Sequence, residues 1–335
     1  QARALLDFLN GSSAHGGAAY RQLLADEAEI INRHSDSYLF HEHLEEINDP
    51  MYFHEFVDRV SAAGLAYLGD ASFRSMLADN FDAGTAAILR DAPLLRQEQY
   101  MDFLRNRMFR SSVLCHQDNA IDRTVPAARL KPCAVALQEK LPLSDAPIDS
   151  SGAWEVTWDD RTLRVAQPMT KAALQFLNDR WPASVSVEEL LSEAAIMQDE
   201  EITEAQQNVL LTDLMTLFTR GIVQASYHPP PLVSDLSDSP EATPLARLQA
   251  QRGDVVTNQR HDSLRLEDLS RALLARLNGQ RDRSALSDWL GGAIARGEFR
   301  VSRDDRQLTE IDAATITQIL DGTLASLAQS SLLIA

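Results

Sequence analysis

Between Tyr38 and Phe56, the stretch YLFHEHLEEINDPMYFHEF packs three histidines, five acidic and five aromatic side chains into nineteen residues. The chain of 335 residues holds only eight histidines in all, so the local density calls for a chemical reading. Imidazole and carboxylate groups can ligate a metal ion, or they can move protons near neutral pH. Metal ligation is poorly served by the spacing. His41 and His43 are two residues apart and would point to opposite sides of a helix. A zinc-protease helix needs histidines at i and i+4 around a glutamate, and HEHLE places Glu45 where the second histidine belongs. His41 with Glu45, or His34 with His41, would share a helical face, but such pairs arise easily by chance, and no metal site is expected. Acid/base work is better served, because His41, Glu42 and Glu45 lie on one side of the INDP break and His54 and Glu55 on the other. The plainer alternative is that these polar groups satisfy backbone N–H and C=O groups freed at the bend.

Other cofactor and nucleophile motifs are missing from the sequence. NGSSAHGGAA (Asn10–Ala19) follows no strand and lacks GxGxxG spacing, and LGDAS is too short for a phosphate loop. There is no GxSxG elbow and no Walker loop. The two cysteines, Cys115 and Cys133, cannot build a disulfide framework or a four-thiolate zinc site. Their apolar surroundings suit core residues in a reducing cytoplasm. No apolar run approaches about 18 residues, so no membrane span is expected. A first residue Gln1 and the lack of a basic, then apolar, leader suggest a piece of a longer protein without a signal peptide.

Stepping from residues to elements, helical spacing covers Ala2–Leu9 and Ala18–Ile31, then SYLFHEHLEEI (Ser37–Ile47) with Ser35 or Asp36 as cap. A further helix starts at Pro50 with Phe53, Phe56, Val57 and Val60 on one stripe, and Gly64 ends it before a short strand LAYL. Gln97–Arg107 reads as a helix with Tyr100, Phe103 and Leu104 on its apolar side, and MFRSSVLCH (Met108–His116) reads as a strand. Turn-rich 145–153 and the five-proline stretch 228–244 divide the chain into 1–140, 150–228 and 245–335. The last two parts echo one another. Thr162–Trp181 and Ser263–Asp282 each run from a short strand into an amphipathic helix. A second helix (186–197, 284–297) and a third (203–221, 312–331) follow in both, and the first copy closes with a strand, IVQASYH. Three helices and a β-ribbon make a winged helix, so a tandem pair is expected. The fold class is mostly α (α+β).

Net charge is −18. Residues 1–133 carry 13 basic and 19 acidic groups, 134–240 carry 6 and 17, and 241–335 carry 12 and 13. Phosphate binding needs clustered Lys and Arg. The third helix of the first copy instead sets Glu204 and Asp213 against Arg220. In the second copy Arg281, Arg283, Arg303 and Arg306 alternate with Asp282, Asp288, Asp304 and Asp305. Nucleic acid is disfavoured as a partner.

Two blocks, DSYLFHEHLEEINDPMYFHEFVDRVSAAGLAYLGDA and LLRQEQYMDFLRNRMFRSSVLCH, resemble the methyltransferase regulatory domain of bacterial S-adenosylmethionine-dependent methyltransferases, over roughly residues 36–116. The resemblance rests on Tyr38, His41, Glu42, Leu44, Glu45, Asn48, Pro50, Tyr52, Phe53, Phe56, Gly64, Tyr67 and Leu68, then on Gln97, Tyr100, Asp102, Arg105, Arg107, Phe109 and Arg110. The downstream pair is similar to the part trailing rickettsial-type protein lysine methyltransferases. The resemblance implies an upstream Rossmann-like domain that binds S-adenosylmethionine, so this chain would bind no cofactor or metal itself and would hold no catalytic residue. It implies that residues 65–68 and 109–115 are the last strands of a class I methyltransferase sheet, with 1–49 a helical cap, dimer element or lid. Substrate-facing candidates are then Tyr38, His41, Glu42, Glu45, Asn48 and Tyr52. Expected partners are the Rossmann-like domain, a basic protein substrate and a second copy of the chain, in the cytoplasm and away from membranes. The competing reading is a winged-helix interaction or transcription-regulatory protein; a metal-dependent hydrolase at His41 is a third.

Overall fold

A computed structural model describes residues 1–12, 17–144, 146–148, 152–158, 161–199, 201–299, 302–303, 306–307 and 312–334. Contacts divide the chain into two compact units, Gln1–Ser72 with Ala78–Ala120, and Phe73–Leu77 with Ile121–Ala335.

The first unit begins with α1 (Ala2–Ser12) packed on α2 (Ala18–Arg33); most of the glycine-rich turn between them, 13–16, lies outside the described residues. No residue of α1 is buried, and α2 buries only Leu24 and Ala28. Helix α3 (Asp36–Glu42) starts as its cap predicts, with Ser35 Oγ accepting from Tyr38 N at 3.2 Å. It stops well short of Ile47, because the Asn48 amide folds back and donates to the Glu42 carbonyl at 3.1 Å. Such an external donor satisfies a carbonyl that a helix end leaves open. Helix α4 (Phe53–Ala62) starts three residues after Pro50, where the Glu55 carboxylate accepts from Tyr52 N at 2.8 Å. Its predicted stripe holds: Phe53, Val57 and Val60 are buried.

Gly64, at φ +75°, reverses the chain into β1 (Leu65–Asp70). Helix α5 (Ala83–Asp91) is capped by Asp82 and is followed by α6 (Leu94–Arg105) and β2 (Ser112–His116). Strands β1 and β2 pair antiparallel, from Leu65 opposite His116 to Asp70 opposite Ser112, with an irregularity between Tyr67 and Gly69. The stretches expected to be the last strands of a larger sheet therefore pair with each other, in a sheet of two strands among the described residues. MFRSSVLCH becomes strand only from Ser112, because the preceding Arg107–Arg110 turn outward from the ladder to serve the ion cluster described below.

The second unit contains two helical layers. Its first sheet has the order β6-β3-β7, with β3 (Ala134–Leu137) in the centre, β6 at Val185–Ser186 and β7 at Val223–Ser226. A β-ribbon of β4 (Trp154–Trp158) and β5 (Arg161–Val165) precedes α7 (Pro168–Arg180), α8 (Val187–Ile196) and α9 (Glu204–Thr219). Leu174, Leu177, Leu190 and Leu214 fill the core between them. Strand β3, a short AVAL run ahead of the turn-rich 145–153, belongs to the second unit, because it pairs with β6 on one edge and β7 on the other.

After the proline-rich stretch come α10 (Pro244–Arg252), the ribbon of β8 (Val255–Thr257) and β9 (Ser263–Arg265), and α11 (Asp268–Leu274) and α12 (Arg283–Ala295). The ribbon of β10 (Ser302–Arg303) and β11 (Arg306–Gln307) leads to α13 (Ala313–Gln329). Their core includes Leu273, Leu286, Leu290, Leu320 and Leu324. The first set runs from a ribbon into three helices, with β6 between α7 and α8, whereas the second runs ribbon, two helices, a second ribbon and a third helix. The tip of the β8–β9 ribbon is spent internally. Arg260 donates from Nη1 to the Gln138 carbonyl at 3.0 Å and from Nη2 to the Pro182 carbonyl at 3.2 Å. No helix among the described residues is long and apolar enough to cross a membrane.

Candidate functional site

The histidine-rich stretch is open to solvent. His41, Glu42, Glu45, Asn48 and Tyr52 are all exposed, and Tyr38 is half-buried. Tyr38 stacks on His34 with centroids 4.0 Å apart and meets His43 edge-on at 6.0 Å. His41 Nδ1 lies 3.6 Å from Glu45 Oε2, the i,i+4 pairing its spacing allows. Glu42 and Asn48 are joined through the backbone bond already described, so the bend is tied by its own side chains. Tyr52 belongs to a different group: its ring stacks near His54 at 5.9 Å and meets Phe103 edge-on at 5.8 Å. Among the described residues, no cluster of three or more His, Cys, Asp or Glu side chains is arranged to hold a metal ion.

The densest chemistry lies where α6 returns to β2. Glu98 and Asp102, one helical turn apart, share the face of α6 that meets Arg110. Arg110 Nε donates to both Asp102 carboxylate oxygens at 2.8 and 3.0 Å. Its Nη2 donates to the Glu98 carboxylate at 2.9 Å and to the Glu98 carbonyl at 3.0 Å. The guanidinium also lies over the Phe53 ring, 3.9 Å from the centroid, a favourable seat for a desolvated cation. Arg107 Nη2 donates to Asp70 Oδ2 at 2.7 Å, and its Nε donates to the Phe109 carbonyl at 2.8 Å. Local sequence produces this return. Asn106 takes a left-handed conformation (φ +48°), which asparagine tolerates, and the Arg107 amide then closes on the Asp102 carbonyl at 2.9 Å.

Side chains of Asp70 and Glu98 are fully buried, and those of Arg107, Arg110 and Asp102 nearly so. Three carboxyl groups, of Asp70, Glu98 and Asp102, meet Arg107 and Arg110 here, and Arg105 acts on Glu98 and Asp102 from farther off. Burial pushes the Glu98 carboxyl above the usual carboxylate range, against the pull of Arg110. For Arg110, burial is outweighed by the hydrogen bonds to Asp102 and Glu98, which hold it charged. Tyr67, buried beside Glu98, is pushed up to about 12 and stays a phenol. A raised carboxyl pKa is the ordinary response of a desolvated acid.

Against this cluster opens a cavity of about 240 Å³, walled by Met51, Phe53, Phe56, Met108 and Phe109 with Asp102, Arg107, Arg110 and Ser112. A second, almost wholly apolar hollow of about 310 Å³ lies between α5 and α6, against Ile88, Leu89, Tyr100, Phe103 and Leu104. Residues 35–116 match the family model described as predicted methyltransferase regulatory domain, and residues 238–332 match that of the PKMT C-terminal winged helix domain.

The uncharacterized protein RP789 of Rickettsia prowazekii is 28% identical over 323 residues, covering 92% of this chain and 57% of that protein. RP028 of the same organism is 41% identical over 59 residues, 18% of this chain and 24% of that protein. The chain thus spans little more than half the length of the longer match. PKMT2 from Rickettsia typhi in complex with AdoHcy superposes with a TM-score of 0.84 at 24% identity, covering 100% of this chain and 68% of that one. Another structure of PKMT2 from Rickettsia typhi gives 0.85, again at 24% identity. The fold is therefore shared along the whole chain.

The ion cluster and the first cavity both fall inside residues 35–116, the segment that matches the regulatory-domain family. Sequence reading names Asp102, Arg107 and Arg110 only as points of resemblance, and Asp70 and Glu98 not at all. The available signal was an i,i+4 acid pair, Glu98 and Asp102, followed closely by Arg107 and Arg110.

Proposed function

We propose that this chain is the regulatory and substrate-recognition portion of an S-adenosylmethionine-dependent methyltransferase acting on protein lysines. One observation carries the reading: the fold shared over the full chain with PKMT2 from Rickettsia typhi, whose structure holds AdoHcy, the molecule left when S-adenosylmethionine gives up its methyl group. The methyl-donor site then belongs to a Rossmann-like domain outside these residues. In this reading the described residues leave the donor to that domain. Strand β1 runs on into single turns at Phe73–Met76 and Ala78–Asn80, and β2 into an irregular stretch; neither feeds a glycine-rich loop at a helix N-terminus.

In this reading the antiparallel pair β1–β2, with α4 packed on β1 and α6 on α4, is the closing edge of the catalytic sheet. The bend carrying Tyr38, His41, Glu42, Glu45 and Asn48, together with Tyr52, faces the acceptor. The strongly acidic segment 134–240 suits a basic, lysine-bearing protein through complementary charge. The middle three-helix layer is a second winged helix related to the C-terminal one by duplication, and the protein works in the cytoplasm. Titration calorimetry tests the division of labour. This chain alone should give no heat with S-adenosylmethionine, whereas the same chain joined to its Rossmann-like domain should bind it and methylate a lysine peptide. Alanine at His41, Glu42 or Tyr52 should then raise KM for the peptide more than it lowers kcat. Tight donor binding by the isolated chain would refute the proposal.

A further inference from the structure

Residues 73–77 belong to the second unit, whereas Ser72 before them and Ala78 after them belong to the first. Both ends of this excursion are anchored. Ser72 N donates to Asp70 Oδ1 at 2.9 Å, and Ala71 N donates to the Ser111 carbonyl at 2.7 Å. On the other side, Ala78 is buried with Leu89 and Met101. Between the anchors, the Phe73 ring stacks on Phe218 at the end of α9, with centroids 5.6 Å apart and an interplanar angle of 24°. The Arg74 guanidinium lies against Gly221, where a Cβ would come within 2.9 Å of Nη1. Gly221 also takes φ +76°, a conformation that glycine adopts freely. The core among α7, α8 and α9 is filled by side chains other than Phe73 and Phe218. No residue of the Phe73–Met76 turn is buried. A segment held by so few buried contacts can open locally while the helix beneath it stays folded.

We infer that residues 73–77 are a detachable clasp that sets how freely the second unit moves. The chain passes between the units at 72–73, 77–78 and 120–121. With the clasp docked on α9, the second unit is tethered at two places, the clasp and the passage at 120–121. With the clasp open, 73–77 become a loop pinned at both ends in the first unit, and the covalent tether at 120–121 remains. That passage lies in 117–126, which forms no helix or strand and is exposed except at half-buried Ile121. Loop residues of this kind make hinges, because they absorb large changes in φ and ψ. One ring pair and one arginine seat thus stand between a doubly tethered second unit and a hinged one. The inference assumes nothing about methyl transfer.

The test uses the full chain, with hydrogen exchange read by mass spectrometry and with small-angle X-ray scattering. Phe218→Ser should speed exchange of the 73–77 amides about tenfold, the scale of losing one aromatic pair. It should also broaden the distribution of distances in the scattering. Phe73→Ser removes the same contact from the other side and should do the same, and the double variant should go no further than either. Val209→Ser, at an exposed position on α9, is the control and should leave both readings unchanged. Exchange of the α9 amides should stay native throughout, which separates an opened clasp from an unfolded helix. If Phe218→Ser disturbs α9, Phe73→Ser carries the test. Native 73–77 amides that exchange as fast as those of 117–126, additive effects of the two substitutions, or faster exchange without broader scattering would each overturn the clasp.

Discussion

Replacing Arg110 with methionine removes the hub of the buried cluster. Methionine refills much of the alkyl volume over Phe53 but leaves Glu98 and Asp102 without their cation. The lost contacts are the two Nε bonds to Asp102 at 2.8 and 3.0 Å, the Nη2 bonds to Glu98, and the cation–ring contact at 3.9 Å. Glu98 and Asp102 would then lose their hydrogen-bonded cation, with Arg107 held on Asp70 and Arg105 acting only from farther off. Breaking a buried pair by deleting one partner costs about 3–5 kcal/mol. Protonation of Glu98, whose carboxyl is already pushed up by burial, relieves part of that. The expected loss for Arg110→Met is therefore about 3 kcal/mol at pH 8, and smaller at pH 5. Hydrogen exchange of the amides in β1 and β2 measures it locally, as a roughly hundredfold faster exchange in the mutant. The four tryptophans, Trp154, Trp158, Trp181 and Trp289, all lie in the second unit, so their fluorescence during urea unfolding follows that unit separately. A loss below about 1 kcal/mol, or one that does not grow with pH, would mean that the cluster is solvated and that the burial argument is wrong.

Further predictions concern the same forces. Glu98→Gln should stabilise relative to the native chain increasingly as pH rises. Because the folded-state pKa of Glu98 is raised, its favourable protonated form is fully present below the unfolded pKa of about 4.3 and is lost as pH climbs through the raised value. Urea midpoints between pH 4 and 8 check this, and a constant difference would contradict it. Arg260→Ala should expose the Gln138 and Pro182 carbonyls and lower the stability of the second unit by about 1–3 kcal/mol, read by tryptophan fluorescence. Leu214→Ala, in the centre of the middle core, should cost about 2–5 kcal/mol by the same assay.

Legibility followed the range of the interactions. Caps, stripes and turn residues act within a few positions, so Ser35, the Phe53–Val57–Val60 face and Gly64 can be read directly from the sequence. The helices of the last two parts are equally local, because amphipathic spacing declares each one. Charge distribution, too, is a property of the sequence alone. Helix ends set by a remote side chain are harder: Asn48 truncates α3 from six residues away, and helical spacing carries no trace of it.

Tertiary structure alone decided which polar residues are buried. The conspicuous histidines stay in solvent, whereas the unremarked Asp70 and Glu98 are drawn under Arg107 and Arg110, from elements far apart in the chain. Likewise AVAL, too short to declare itself, became a central strand only because β6 and β7 offered it hydrogen bonds on both edges. Composition and spacing report what a segment prefers by itself. Burial of a charge depends on whether its counter-charge arrives through the fold, and that is settled by packing and not by neighbours in sequence.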